Sequence, residues 1–192
     1  MKIIGPCLIS LLLAGCALET PPPSTGYLPA SAFATIAAGE DSPMAAINDA
    51  TYVFAHPASI QGQPAQAALA IASLDAMAGQ FSTVPRWSNM SSIAKLQMLQ
   101  ARHDVRALLG IRPGTQSQTV VDCFSQLAAL LGAGNQQAAL NLLASPFFMN
   151  PPAQTLATLT NMPYVASANI ATQHASQFLY PGGGTSNTGM FN

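Results

Sequence analysis

The stretch SNMSSIAKLQMLQARHDVRALLGIRP, residues 88–113, decides the fold class. Ser88 supplies a hydroxyl that can cap a helix, and no breaker follows it for twenty residues. After Leu109, Gly110 offers the left-handed turn that ends helices, Ile111 the apolar contact that accompanies such an end, and Pro113 forbids continuation. A helix from about Ser88 to Leu109 is therefore expected, with both ends written in residue chemistry.

The same punctuation recurs on either side. Ser42-Pro43 places a hydroxyl before a proline suited to a first helical turn, and Met44, Ile47 and Phe54 carry that helix to about Ala55. Pro64 opens a longer helix in which Ala67, Ile71, Leu74, Ala78 and Phe81 share one stripe, and Val84-Pro85 follows its end. Beyond Pro113, Val120, Phe124, Leu127 and Leu131 form another stripe that stops at Gly132-Ala133-Gly134. Asn135 then caps a short helix holding Leu140 and Leu143, and Asn150-Pro151-Pro152 starts another holding Leu156 and Leu159. A last helix is expected from about Pro163 to Tyr180, with Tyr164, Ala168, Ala171, Ala175 and Phe178 in register. Alternating β-branched runs and hairpin dipeptides are missing, so no strand is expected. An all-α domain follows, an irregular bundle of six or seven helices. The alternative is a helical-repeat solenoid, because Gln-Ala-Ala-Leu occurs at 66–69 and again at 137–140.

The 192 residues suffice for one ordinary domain; they are 49% apolar and only 7% charged, with formal net charge −1. Such a chain has the apolar content to build a core. Six basic residues against seven acidic ones leave no positive field for phosphate contacts, so a nucleic-acid binder is not expected. With 34 alanines and 14 glutamines, the solvated face must be made from Gln, Ser, Thr and Asn, and the core from small side chains that bury little area each. Few ionisable groups also imply that stability should vary little between mildly acidic and neutral pH.

The N-terminus reads differently. Lys2 precedes an apolar run from Ile3 to Leu13 that is too short to span a bilayer and is closed by Leu13-Ala14-Gly15-Cys16, the pattern of a signal peptide. These four residues resemble the lipobox of bacterial lipoproteins. The resemblance implies cleavage after Gly15, a diacylglycerol thioether on Cys16 and acylation of the new amino terminus. Membrane lipid is then a partner through Cys16. Two or three acyl chains at about 0.8 kcal/mol per buried methylene make a durable anchor. Ala17 differs from the aspartate that retains many such proteins on the inner membrane, so the resemblance favours an outer membrane facing the periplasm. The expected organisation is a leader at 1–15, the lipidated Cys16 with a Pro-rich tether at 16–42, a helical domain at 43–180 and a loose tail at 181–192. With Cys7 removed and Cys16 acylated, Cys123 would be left as the remaining thiol, placed beside Phe124 in a helical stripe and read as a buried, inert residue, or else as a bridge between chains.

No local motif for chemistry stands out. His56, His103 and His174 are far apart and lack metal-ligand spacing, so no metal or cofactor is expected. Gly182-Gly183-Gly184 opens no helix and makes no phosphate loop. His103 and Asp104 are adjacent on one helix and point about 100° apart, which argues against a triad with Cys123. One pattern remains: Arg86, Lys95, Arg102, Arg106 and Arg112 are clustered, and Lys95, Arg102 and Arg106 align within about 40° of one another beside the apolar face. Their stems could cover apolar surface while the heads pair with Asp49, Asp75 or Asp122. Alternatively, Lys95, Arg102, Arg106 and Trp87 could contact an anionic or carbohydrate ligand. The expected function is a non-catalytic envelope lipoprotein that assembles with another envelope protein. The alternatives are the ligand binder just described and an envelope-polymer hydrolase, which would require a cleft with converging polar groups and a perturbed acid or base.

Overall fold

A computed structural model of the chain describes residues 24–33 and 41–179. The leader, Cys16 and the tail at 181–192 lie outside the described residues. Seven α-helices make up the described part: α1 (Ser42–Ala55), α2 (Pro64–Thr83), α3 (Ser92–Leu108), α4 (Ser117–Gly132), α5 (Gln136–Leu143), α6 (Pro152–Thr160) and α7 (Ala166–Leu179), with short 3₁₀ turns at Pro57–Ile60 and Pro85–Trp87. They form an irregular bundle and not a solenoid. Each repeated Gln-Ala-Ala-Leu falls in a helix of different length and neighbourhood, one in central α2 and one in short α5. Among the described residues extended pairing is limited to a single bridge between Ile111 and Phe148.

The order of the bundle follows from α2. Every residue from Ala67 to Phe81 is buried, so this helix is enclosed on all sides. It packs on α1, α3, α4 and α6, and its run of alanines lets those neighbours approach closely. The large side chains that fill the remaining space include Phe54, Phe81, Phe124, Ile47, Met98 and Leu127. On the outside, α3 and α7 run antiparallel. His174 Nδ1 meets Gln97 Oε1 at 2.7 Å, and Ser167 bonds Asp104 one end further along. Hydrogen bonds from Ser167 and His103 hold the Asp104 carboxyl below the usual carboxylate range.

The helix ends show where residue chemistry decides and where tertiary contacts override it. At the end of α3, Gly110 adopts φ 69°, the Gly110 N–H donates to Ala107 O at 3.1 Å and the Ile111 N–H to Arg106 O at 2.9 Å, closing the left-handed end expected from the sequence. Asn135 likewise caps α5, its side chain accepting from the Ala138 N–H at 3.2 Å. The starts of α1 and α3 differ from expectation. Ser42 is the first residue of α1 and not its cap; Asp41 holds the cap position, its backbone carbonyl taking the Met44 and Ala45 amides while its carboxylate pairs with Arg86. Pro85 turns the chain into a 3₁₀ segment that buries Trp87, so α3 starts at Ser92 instead of just after Ser88. The last helix starts at Ala166, leaving Tyr164 outside it and exposed.

The largest departure concerns residues 24–33, which composition assigns to the tether. They lie along α2 and α4. Gln80 Nε2 donates to Gly26 O at 2.9 Å, the Tyr27 amide to Gln118 Oε1 at 2.9 Å, and Gln118 Nε2 returns to Tyr27 O at 3.0 Å. Gly26 is buried, and Phe33 joins the core at 5% exposure. Two glycines permit the approach. A methyl on Gly79 would come within 2.5 Å of the Ser24 carbonyl oxygen, and one on Gly26 within 2.8 Å of Val121 Cγ2. Ser24 also caps α4 from a distance in sequence. Gln116 supplies no side-chain cap, and the Ser117 N–H donates instead to Ser24 Oγ at 3.0 Å.

Candidate functional site

The basic stripe expected on α3 is present, and its charged heads are engaged within the protein. Arg106 donates from Nε to Asp75 Oδ2 at 2.6 Å, from one terminal nitrogen to Asp75 Oδ1 at 2.8 Å and from the other to Thr115 O at 2.7 Å. Asp75 is buried in the middle of α2, where a lone carboxylate would be costly, and Ser117 Oγ donates to it as well. Arg102 reaches Ser24 O at 2.9 Å and so ties segment 24–33 to α3. Burial lowers its pKa, with Asp75 opposing that shift and Arg106 adding to it. Lys95 Nζ lies 3.5 Å from Ser88 O, Arg112 Nε donates to Pro146 O at 2.9 Å, and Arg86 pairs with Asp41. Trp87 is 4% exposed, stacks edge-on against Phe81 and is covered by Arg86, whose guanidinium carbon sits 4.7 Å from the ring centroid. Of the proposed stripe, then, Trp87 is part of the core, Arg106 is half-buried over Asp75, Arg102 is a strap and Lys95 is half-buried beside Ser88.

Cys123 is a free, buried thiol on α4, and burial pushes it up to about 12. A group so hard to ionise is a poor nucleophile. His103, on α3, is exposed and bonded to Asp104. The structure therefore builds no activated cysteine from these residues.

The polar groups that converge are elsewhere. A cavity of about 790 Å³ opens between α1, the N-terminal end of α2, the face of α4 that carries Asp122, Ser125, Ala129 and Gly132, and the docked segment at Pro29, Ser31 and Ala32. Its volume falls in the range that holds small-molecule ligands. Gln66 and Leu69 contribute from α2, and Asp49 from α1. The four α4 positions recur at helical spacing, so one stripe of that helix forms a wall.

Within this cavity Asp49 is unusual. Of the described aspartates, Asp41, Asp75, Asp104 and Asp122 each accept a hydrogen bond or an ion pair, whereas Asp49 keeps a buried Oδ2 without a partner. Burial raises its carboxyl from 3.8 to about 7, so it carries a proton for much of its time near neutrality. The Ser125 hydroxyl across the cavity is likewise buried and unpartnered. Two unpartnered polar atoms on residues that line one cavity set this region apart from the rest of the core. In the sequence alone, Asp49 and Asp122 stand out only as partners for arginines. The signal available was position: Asp49 falls three residues after Ala46 and four before Val53, beside the buried stripe of α1, in a chain with few acids to spare.

Among the described residues no group of three or more His, Cys, Asp or Glu side chains could hold a metal ion, and no helix is long and apolar enough to cross a membrane. Comparison with family models, with curated proteins and with solved structures found no match to this chain.

Proposed function

We propose that the protein is a lipid-anchored lipoprotein of a bacterial envelope whose helical domain serves binding and assembly at the outer membrane, facing the periplasm, with another envelope protein as its partner. The observation that carries this reading is Leu13-Ala14-Gly15-Cys16 at the end of a short apolar run behind Lys2. The fold is compatible with it. All five basic residues that follow Cys16 have partners inside the protein, which leaves a weakly charged exterior suited to contact with other envelope components. Fractionation of cells expressing the full-length chain tests the reading. The wild-type protein should sediment with outer membranes, and Cys16→Ala should leave the membrane fraction. Crosslinking and co-purification from the membranes should then yield a discrete protein partner for the wild type.

One observation favours a second reading, an envelope-polymer hydrolase: a carboxyl raised to about 7 by burial shares a cavity with a second carboxyl, Asp122, and such an enzyme uses one acid and one base. Incubation with purified peptidoglycan and mass spectrometry of the soluble products separates the readings. The binding role predicts no products above those of Asp49→Asn.

A further inference from the structure

The cavity wall has a definite chemical character. Among the described residues its polar side chains are two carboxylic acids, two glutamines and two serines, and the rest of the wall is Pro, Ala, Leu and Gly. None of the described lining residues is basic. Each arginine and Lys95 is bonded elsewhere, so neither Asp49 nor Asp122 is neutralised by a cation of the protein. Asp49 Oδ2 and Ser125 Oγ, on two residues that line the cavity, are buried without partners. An occupant that carries positive charge on an apolar body would complement the charge and the apolar surface of this wall.

We propose that the cavity between α1, α2, α4 and segment 24–33 binds a small organic cation, an ammonium group carried on an apolar body, with the ammonium set against the carboxylates and the apolar part against Leu69 and the alanines. The proposal does not depend on the lipid anchor. It makes ligand binding and docking of segment 24–33 one event, because Pro29, Ser31 and Ala32 form part of the wall. It also gives Asp49 a reason to stay buried. An arriving cation favours the ionised carboxylate, so binding should release a proton and strengthen as pH rises through about 7.

The other titratable groups around α1 make contacts of their own. Asp75 on α2 is held by Arg106, His174 on α7 is bonded to Gln97, His56 at the end of α1 contacts the Tyr52 carbonyl, and Asp41 is paired with Arg86. Asp122 faces the same cavity from α4 and accepts from Gln118.

The test is an NMR titration of the full-length chain with n-hexylammonium chloride, with 1-hexanol and sodium hexanoate as the neutral and anionic probes. Hexylammonium should bind saturably at about pH 8, at least about tenfold tighter than hexanol, with hexanoate weakest, and shift the resonances of Gln66, Ser125 and Ala129. Its affinity should fall at least about tenfold at about pH 5.5. Asp49→Asn should abolish the pH dependence and most of the charge preference. Asp122→Asn and Ala129→Leu alter exposed positions, so they test the site whatever Asp49→Asn does to folding; the first should weaken hexylammonium binding and the second should block all three probes. Equal binding of hexylammonium and hexanol, undiminished binding to Ala129→Leu, or shifts confined to residues outside the cavity would each overturn the proposal.

Discussion

Arg106 and Asp75 meet through two parallel hydrogen bonds in the interior, with side chains only 14% and 3% exposed. The pair joins α3 to the central helix α2, and Thr115 O and Ser117 Oγ satisfy what remains of each group. Removing one partner leaves the other charge buried. Arg106→Ala should therefore destabilise the protein by about 3–5 kcal/mol. Arg86→Ala breaks an ion pair that is 52% and 43% exposed and should cost no more than about 1 kcal/mol. Urea unfolding followed by circular dichroism compares the two; equal losses would contradict the assignment.

Asp49 gives the protein a pH dependence that its low charge does not suggest. Well below pH 3.8 the carboxyl is neutral in both folded and unfolded chains, so burying it carries no charge penalty. As pH rises the unfolded chain ionises near 3.8 while the folded chain holds its proton to about 7. Folding becomes less favourable across that window, and the full penalty, up to about 4 kcal/mol, applies above it. Asp49→Asn should be more stable than wild type at about pH 8, with most of the difference gone by about pH 5. Urea midpoints at the two pH values check this. A stability difference that does not change with pH would contradict it.

Docking of segment 24–33 depends on the absence of a side chain at Gly79. Gly79→Ala should push Ser24 away, costing about 1–3 kcal/mol of docking while the seven helices persist. Limited chymotrypsin digestion reads this out at Tyr27, where cleavage should accelerate by roughly tenfold or more. Unchanged cleavage would show that the segment does not rest on α2.

Gly110 and Gly114 both have positive φ, 69° and 82°, but only Gly110 is crowded, with the Asn150 side chain where a methyl would go. Gly114→Ala should cost about 1 kcal/mol from backbone strain alone, and Gly110→Ala at least about 1 kcal/mol more. Thermal unfolding of both variants measures the difference.

The helices were legible because their ends rest on local chemistry. Gly110, Asn135 and Pro152 act through their own backbone or side chain and need no distant partner. Where the sequence misleads, a tertiary contact competes: Asp41 is drawn to Arg86, and the Pro85 turn buries Trp87 and consumes the residues after it. Residues 24–33 have the composition of a tether, yet a non-helical segment with one glycine and one phenylalanine docks on the bundle because a facing helix carries Gly79 and Gln80. The basic stripe was legible as a line on α3, but its partners Asp75, Ser24 and Thr115 come from three other places in the chain. The cavity was not legible, because Pro29, Asp49, Gln66 and Ser125 share no local spacing and meet only once the bundle has formed.

The reading of this chain as an anchored envelope protein rests on Cys16, and mass spectrometry of the N-terminal peptide of material extracted from native membranes tests it most directly. The account predicts a peptide that begins at Cys16 and carries a diacylglyceryl thioether and an amide-linked acyl chain. A peptide that retains Met1, begins at another residue, or shows an unmodified Cys16 thiol would contradict it.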